Sequence, residues 1–341
     1  MQAIFPIPKQ CSIRKNLLSW YDLHRRPLPW RESCEPYRVW ISEIMLQQTR
    51  VAAVIEHYQK FLRRFPTLQK LAAARQSTVL AAWSGLGYYR RARMMHAAAK
   101  IIVRSHGGQF PQTAEAWQEL PGIGRYTAAA VASIAFGEPI AVVDGNVERV
   151  LQRLSGKRLA GENLWQTAQA LLDRERPGDF NQATMELGAT ICTPCQPQCL
   201  TCPVVDFCAA RGEMEATAKA APQKKREIHC SFTCRDSSDG QREVLLVQRG
   251  RDASLMPGMW ELPRAKADSR GALLFTVRHS ITVTDYRVHV WSGSEDLAAG
   301  GKWIPAKRIA RLPLTGLARK ILVKAGLLSF SPGSSALLRN R

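Results

Sequence analysis

From about Ser12 to Arg211 apolar residues recur three and four positions apart, the period of an amphipathic helix. The pattern is plainest in Val39–Gln48, Val51–Phe65, Ser77–Trp83, Ala92–Arg104 and Tyr126–Phe136, and helices are predicted there. Proline and glycine interrupt it at Phe65-Pro66, Gly85–Gly87, Gly107-Gly108, Pro121–Gly124 and Gly137–Pro139, which marks turns. Residues 212–227 are rich in Ala, Lys and Glu without a buried stripe, and read as a linker. After Ile228 the period changes. Glu243–Gln248, Thr276–Val283 and Arg287–Trp291 are rich in β-branched residues, with a polar break at Ser237–Gly240, and strands are predicted. Leu314–Leu328 is again helical. The predicted fold is multidomain: an all-α domain over residues 1–211, a linker, a small α+β domain over 228–330, and a disordered tail over 331–341.

A chain of 341 residues is long enough for two domains that each bury a core. The net charge of +20 points to a polyanionic partner, nucleic acid before others. Between Arg50 and Ala114 eleven Lys/Arg stand against one acid, Glu56, which fits a phosphate-binding surface better than an ordinary solvated face. No apolar run approaches the ~18 residues of a membrane-spanning helix. No secretory leader is read at the start, and the nine cysteines show no paired framework, so a reducing cytoplasm is expected.

Four cysteines, Cys192, Cys199, Cys202 and Cys208, follow the spacing C-x6-C-x2-C-x5-C. Four thiolates so close in sequence can wrap one metal centre, either zinc or a 4Fe-4S cluster. A structural zinc site usually pairs two C-x2-C hooks, and only one is present. Cys195 lies inside the loop, outside this pattern. The segment Leu120-Pro121-Gly122-Ile123-Gly124-Arg125-Tyr126 sits between helical patterns. Its glycines permit a tight turn, and the helix it opens offers free N–H groups to a phosphate, the signature of a helix-hairpin-helix. Eighteen residues beyond Tyr126, Asp144 follows an apolar run and precedes a helix, the place of an N-cap. Glu43 shares a helix face with Val39, Trp40, Leu46 and Gln47. A carboxyl among such neighbours is desolvated and keeps its proton, as a general acid must.

These pieces occur in a fixed order: Pro29-Trp30-Arg31, Trp40–Val51, Gly85–Tyr89, the hairpin, Val142–Val147 and the cysteine loop. Together they resemble the MutY-type adenine DNA glycosylases of the endonuclease III, or helix-hairpin-helix, superfamily. The resemblance covers residues 12–211 and is looser beyond Ile228. It implies a helix-hairpin-helix glycosylase domain carrying one 4Fe-4S cluster on Cys192, Cys199, Cys202 and Cys208, followed by a Nudix-like lesion-reading domain. It implies that Glu43 protonates adenine and Asp144 stabilises the cationic sugar, with Tyr126 and Asn146 supporting them. Arg31, Leu46 and Gln182 would line the base pocket. Gln48 would wedge into the duplex beside Tyr88, and Gly122, Gly124 and Arg125 would hold the backbone. The implied partner is double-stranded DNA with adenine opposite 8-oxoguanine or guanine, bound by a monomer in a bacterial cytoplasm at the nucleoid. No Nudix hydrolase box is present. The family's Phe-Ser-His segment, which reads 8-oxoguanine, is Ile281-Thr282-Val283 here, so Thr282 alone would keep a hydroxyl contact. Two rival readings are weaker. A lyase-type relative would carry lysine at position 126, and a phenol cannot form a Schiff base. A non-catalytic hairpin protein would need neither Glu43 nor Asp144.

Overall fold

The computed structural model describes residues 5–212, 224–265, 271–281, 284–293 and 300–328. Its helices run α1 (Ile7–His24), α2 (Pro36–Leu46), α3 (Val51–Arg64), α4 (Leu68–Ala73), α5 (Gln76–Ala82), α6 (Arg90–Ser105), α7 (Ala114–Gln118), α8 (Arg125–Phe136), α9 (Gly145–Ser155), α10 (Gly161–Leu171) and α11 (Pro177–Thr190). Strands follow as β1 (Lys224–Phe232), β2 (Cys234–Asp236), β3 (Arg242–Gln248), β4 (Trp260–Glu261), β5 (Leu273–Ile281), β6 (Thr284–Ser292) and β7 (Gly301–Pro305), then α12 (Ala306–Ile309) and α13 (Gly316–Lys324). All five segments with a clear helical period are helices. The first stops at Leu46, short of the predicted Gln48, because Gln47 turns extended at ψ 116° and Gln48 takes a positive φ of 53°. No helix among the described residues is long and apolar enough to cross a membrane.

The chain forms two compact units, and neither is continuous in sequence. One comprises Met1–Gln47 with Lys100–Ala218. Its core joins Ile13, Leu17 and Tyr21 of α1 to Val150 and Leu151 of α9, Leu164 and Leu171 of α10, and Phe180, Ala183 and Leu187 of α11. α11 packs against α1, α8 and α9 and is buried on most of its circumference, so it shows no amphipathic stripe in the sequence. α2 is likewise sunk, with the Trp40 ring against those of Phe110 and Trp117.

The other unit comprises Gln48–Ala99 with Lys219–Arg341. β6 is central in a three-stranded sheet, parallel to β1 and antiparallel to β5. In a second sheet β3 has β7 along one edge and β2 and β4 along the other. Val244, Leu246, Val277, Val288 and Val290 fill the core together with Ile309, Leu314, Ile321 and Leu322 from the closing segment. This grouping differs from the predicted linear division at 211–228. Residues 48–99 associate with the C-terminal residues because the Tyr89 hydroxyl donates to the Leu314 carbonyl at 2.8 Å, Ser84 Oγ donates to the same oxygen at 3.3 Å, and Arg93 donates to the Pro257 carbonyl. The predicted linker also loses its end to structure. Lys224–Glu227 are exposed, yet they belong to β1, held by backbone pairing from Lys224↔Thr284 onward. The predicted tail, residues 331–341, lies outside the described residues.

Candidate active site

Glu43 stands two-thirds along α2 and is only 5% exposed. The first residues of α8 carry Tyr126 across to it, and the phenol donates to Glu43 Oε2 at 2.9 Å. Burial pushes the Glu43 carboxyl up to about 7. The bond from Tyr126 and the charge of Arg31 oppose that rise, and the negative charge of Asp144 adds to it. Tyr126 is itself pushed well above its ordinary value by burial and by the two nearby carboxyls, so it remains a donor. Its hydroxyl also lies 3.5 Å from the sulfur of Met185 on α11.

Asp144 is the N-cap of α9, as a residue in that place often is. Its Oδ1 accepts from the backbone N–H of Asn146 at 2.9 Å and of Val147 at 2.8 Å, and its Oδ2 accepts from Asn146 Nδ2 at 2.9 Å. The capping bonds fix the carboxylate rather than compete with chemistry there. One turn along, the Arg149 guanidinium donates to Asn146 Oδ1, to the Gly188 carbonyl and to the Cys192 carbonyl. Gly188 is required by this approach: a Cβ there would stand 2.6 Å from that of Asn146.

Arg31 leaves the short 3-10 turn Pro29–Arg31 and is 11% exposed. It meets Glu186 of α11 at 2.9 Å, and Arg26 meets the same carboxylate at 2.6 Å. Burial raises Glu186, but the bonds and charges of the two arginines outweigh it and bring the carboxyl down to about 2. Gln182 precedes Glu186 by one helical turn and is half-buried, and Leu46 is the half-buried last residue of α2.

The hairpin turn has Gly122 at φ 79°, and Gly124 is the N-cap of α8 without any side-chain cap for its first-turn N–H groups. Arg125 is exposed, paired with Glu162 at 2.7 Å and stacked 4.0 Å above the Trp165 ring. Gln48 and Tyr88 belong to the other unit. Both have positive φ, 53° and 46°, a conformation rare for such side chains. Within that unit Arg91 ties their loops together, donating to Thr49 Oγ1 at 3.0 Å and lying over the Tyr88 ring. Ile281 ends β5, in register with Thr284; Thr282 and Val283 lie outside the described residues.

The cysteine loop folds against α9. Arg153 Nη1 donates to Cys192 Sγ at 3.3 Å, and the Cys208 thiol donates to the Arg153 carbonyl at 3.3 Å. Cys192, Cys202 and Cys208 pack on the helical core, and the Cys202 thiol is pushed up to about 11 by burial and by the charges of Cys192, Cys208 and Cys199. The four sulfurs thus share one neighbourhood, whereas Cys195 is exposed. Among the described residues no three His, Cys, Asp or Glu side chains converge as a site for a single ion. An all-sulfur donor set around a shared space fits an iron–sulfur cluster.

The model of the HhH-GPD superfamily of base excision DNA repair proteins matches residues 41–185. An adenine DNA glycosylase of Schizosaccharomyces pombe is 42% identical over 316 residues, 73% of this chain and 68% of that protein. The chain belongs to the adenine DNA glycosylase family. A mouse member of that family is 42% identical over 311 residues, and the match spans 74% of this chain and 60% of the mouse protein. Among solved structures, a thermostable thymine-DNA glycosylase superposes with a TM-score of 0.57 at 30% identity, over 61% of this chain and 98% of that one. For this adenine DNA glycosylase family member, sequence reasoning missed Met185, Glu186 and Arg149. Glu186 was the most accessible of them, a carboxylate one turn beyond Gln182 on the same helix.

Proposed function

We propose that this chain is a monofunctional adenine DNA glycosylase, hydrolysing the N-glycosidic bond of adenine opposite 8-oxoguanine or guanine in duplex DNA. The observation that supports this most is Glu43: a buried carboxyl, protonated up to about pH 7 and bonded to Tyr126, in a chain of this family. Base excision inside a duplex requires the nucleotide to be extruded first. Gln48 and Tyr88, held by Arg91, would support the opened duplex, while Arg31, Leu46 and Gln182 would receive the base. Tyr126 occupies Glu43 Oε2, so the proton sits on the other oxygen and passes to the leaving adenine. Positive charge then develops on the sugar. The Asp144 carboxylate, fixed by its capping bonds, stabilises that charge, the two-carboxylate logic of glycoside hydrolysis. Water completes the hydrolysis, and the Glu43 anion, supported by the Tyr126 phenol, recovers a proton from it. Without an amine at position 126 no Schiff base forms and the strand stays intact.

Gly122, Gly124 and Arg125 with the basic stretch Arg50–Ala114 would bind the phosphate backbone. Cys192, Cys199, Cys202 and Cys208 would hold one 4Fe-4S cluster, which supplies a covalent cross-link of the loop and a redox-active centre when bound. The C-terminal α+β region is read as a Nudix-like reader of the base opposite adenine, with Thr282 among its contacts. The decisive experiment is single-turnover excision by the full-length chain on duplexes with adenine opposite 8-oxoguanine, guanine, cytosine and thymine, and with thymine opposite guanine. Adenine release from the first two is expected, and its loss in Glu43→Gln and Asp144→Asn with duplex binding retained. Preferential thymine release, or full activity in either variant, overturns the reading.

A further inference from the structure

We propose that Glu186 is a positioning residue of the reaction: it fixes Arg31 at the base pocket and balances the positive charge that Glu43 feels. The proposal rests on the glycosylase reading above. Glu186 is 1% exposed and is met by four N–H groups: the Arg26 backbone at 3.3 Å, Arg26 Nε at 2.6 Å, Arg26 Nη2 at 2.7 Å and Arg31 Nη2 at 2.9 Å. Arg31 Nη1 donates in turn to the Arg26 carbonyl at 3.2 Å, and its guanidinium lies 5.4 Å above the Tyr21 ring. Arg31 is therefore pinned on several sides, and the pin originates on α11, one residue beyond the Met185 that touches Tyr126. Yet Arg31 Nε, buried, has no hydrogen-bond partner among the described residues. A buried donor left unpaired is costly, so this atom is poised for an acceptor on a ligand, such as a ring nitrogen of a heteroaromatic base.

The second half of the argument is charge. Glu43 is faced by Tyr126 from α8, by Asp144 from the start of α9 and by Arg31 from the turn before α2. Behind Arg31 stand Arg26 and Glu186. Two guanidinium groups and one carboxylate leave a single positive charge there. Removing the carboxylate leaves two, which favours the Glu43 anion. Removing Arg26 leaves none, which favours the protonated acid.

The test compares Glu186→Gln and Arg26→Met with the full-length wild type in single-turnover excision of adenine from its mispair across pH. The amplitude counts folded enzyme and the rate constant reports chemistry. Glu186→Gln is expected to lower the rate by about tenfold through a displaced Arg31. Its alkaline limb should move to lower pH by about one unit, and that of Arg26→Met to higher pH. Opposite limb shifts support the proposal. If both variants lose only amplitude, with limbs unmoved, Glu186 merely supports the fold and the proposal fails. Unchanged rate and limb in Glu186→Gln sink it as well. A wild type that releases no adenine overturns the proposed function itself, and the proposal with it.

Discussion

Glu43→Gln should abolish excision and, at the same time, make the protein more stable, but only in neutral and alkaline solution. In the folded chain the carboxyl titrates at about 7, against 4.5 for an ordinary one. Below 4.5 both folded and unfolded chains hold the proton, and the group contributes no difference. Between 4.5 and 7 the unfolded chain ionises while the folded one does not, so stability falls as pH rises, and above 7 the loss is complete. At about 1.4 kcal/mol per pH unit the full loss is about 3 kcal/mol. Glutamine never ionises, and its carbonyl can still accept from Tyr126. The variant should therefore unfold at about the wild-type temperature near pH 5 and about 5–10 °C above it near pH 8, for a unit of this size. Thermal unfolding followed by helical circular dichroism, at matched ionic strength, reads this directly. The excision rate of the wild type should fall through the same window as the acid loses its proton. Equal midpoints at both pH values, or a variant less stable near pH 8, would refute the reasoning. Glu43 would then not be a desolvated acid.

Gly188→Ala would place a methyl carbon 2.6 Å from the Asn146 Cβ and 3.0 Å from its carbonyl oxygen. Displacement of the Asp144 cap should slow single-turnover excision by about a hundredfold with the helical content unchanged. Cys202→Ser should lose iron and visible absorbance, whereas Cys195→Ser should keep about four irons per chain, measured by metal analysis. Tyr126→Lys should give a covalent adduct with DNA on borohydride treatment, and wild type none; strong trapping by wild type would show that the chain is not monofunctional. Ile281→Phe combined with Val283→His should widen the preference for adenine opposite 8-oxoguanine over guanine, mainly through affinity, since the aromatic face and the polar ring are then both present.

The local setting of single residues was easier to read than the architecture. The burial of Glu43 was legible because a carboxylate on an apolar helix face has one local explanation, and the N-cap position of Asp144 because its flanking pattern is short. At Asp144 the capping bonds hold the carboxylate in place, so the cap is compatible with the role proposed for it. Glu186 was not legible as a partner of Arg26 and Arg31, because those residues lie 160 and 155 positions away. β1 was hidden for a different reason. Its first four residues are charged and exposed, and only the backbone of β6 makes them a strand. The allegiance of residues 48–99 involves side-chain donors meeting distant backbone carbonyls, which leaves no trace in side-chain pattern.

That allegiance has a consequence for how the protein is made. The Leu314 carbonyl that Tyr89 and Ser84 need lies 225 and 230 residues downstream of them. At roughly 5–20 residues per second, a ribosome delivers it on the order of 10–45 s after Tyr89 is synthesised. Through that interval Gln48–Ala99 waits with its packing surface open, the window in which chaperones and proteases compete for nascent chains. A fragment ending near Ala218 would leave Gln48–Ala99 without the residues it groups with.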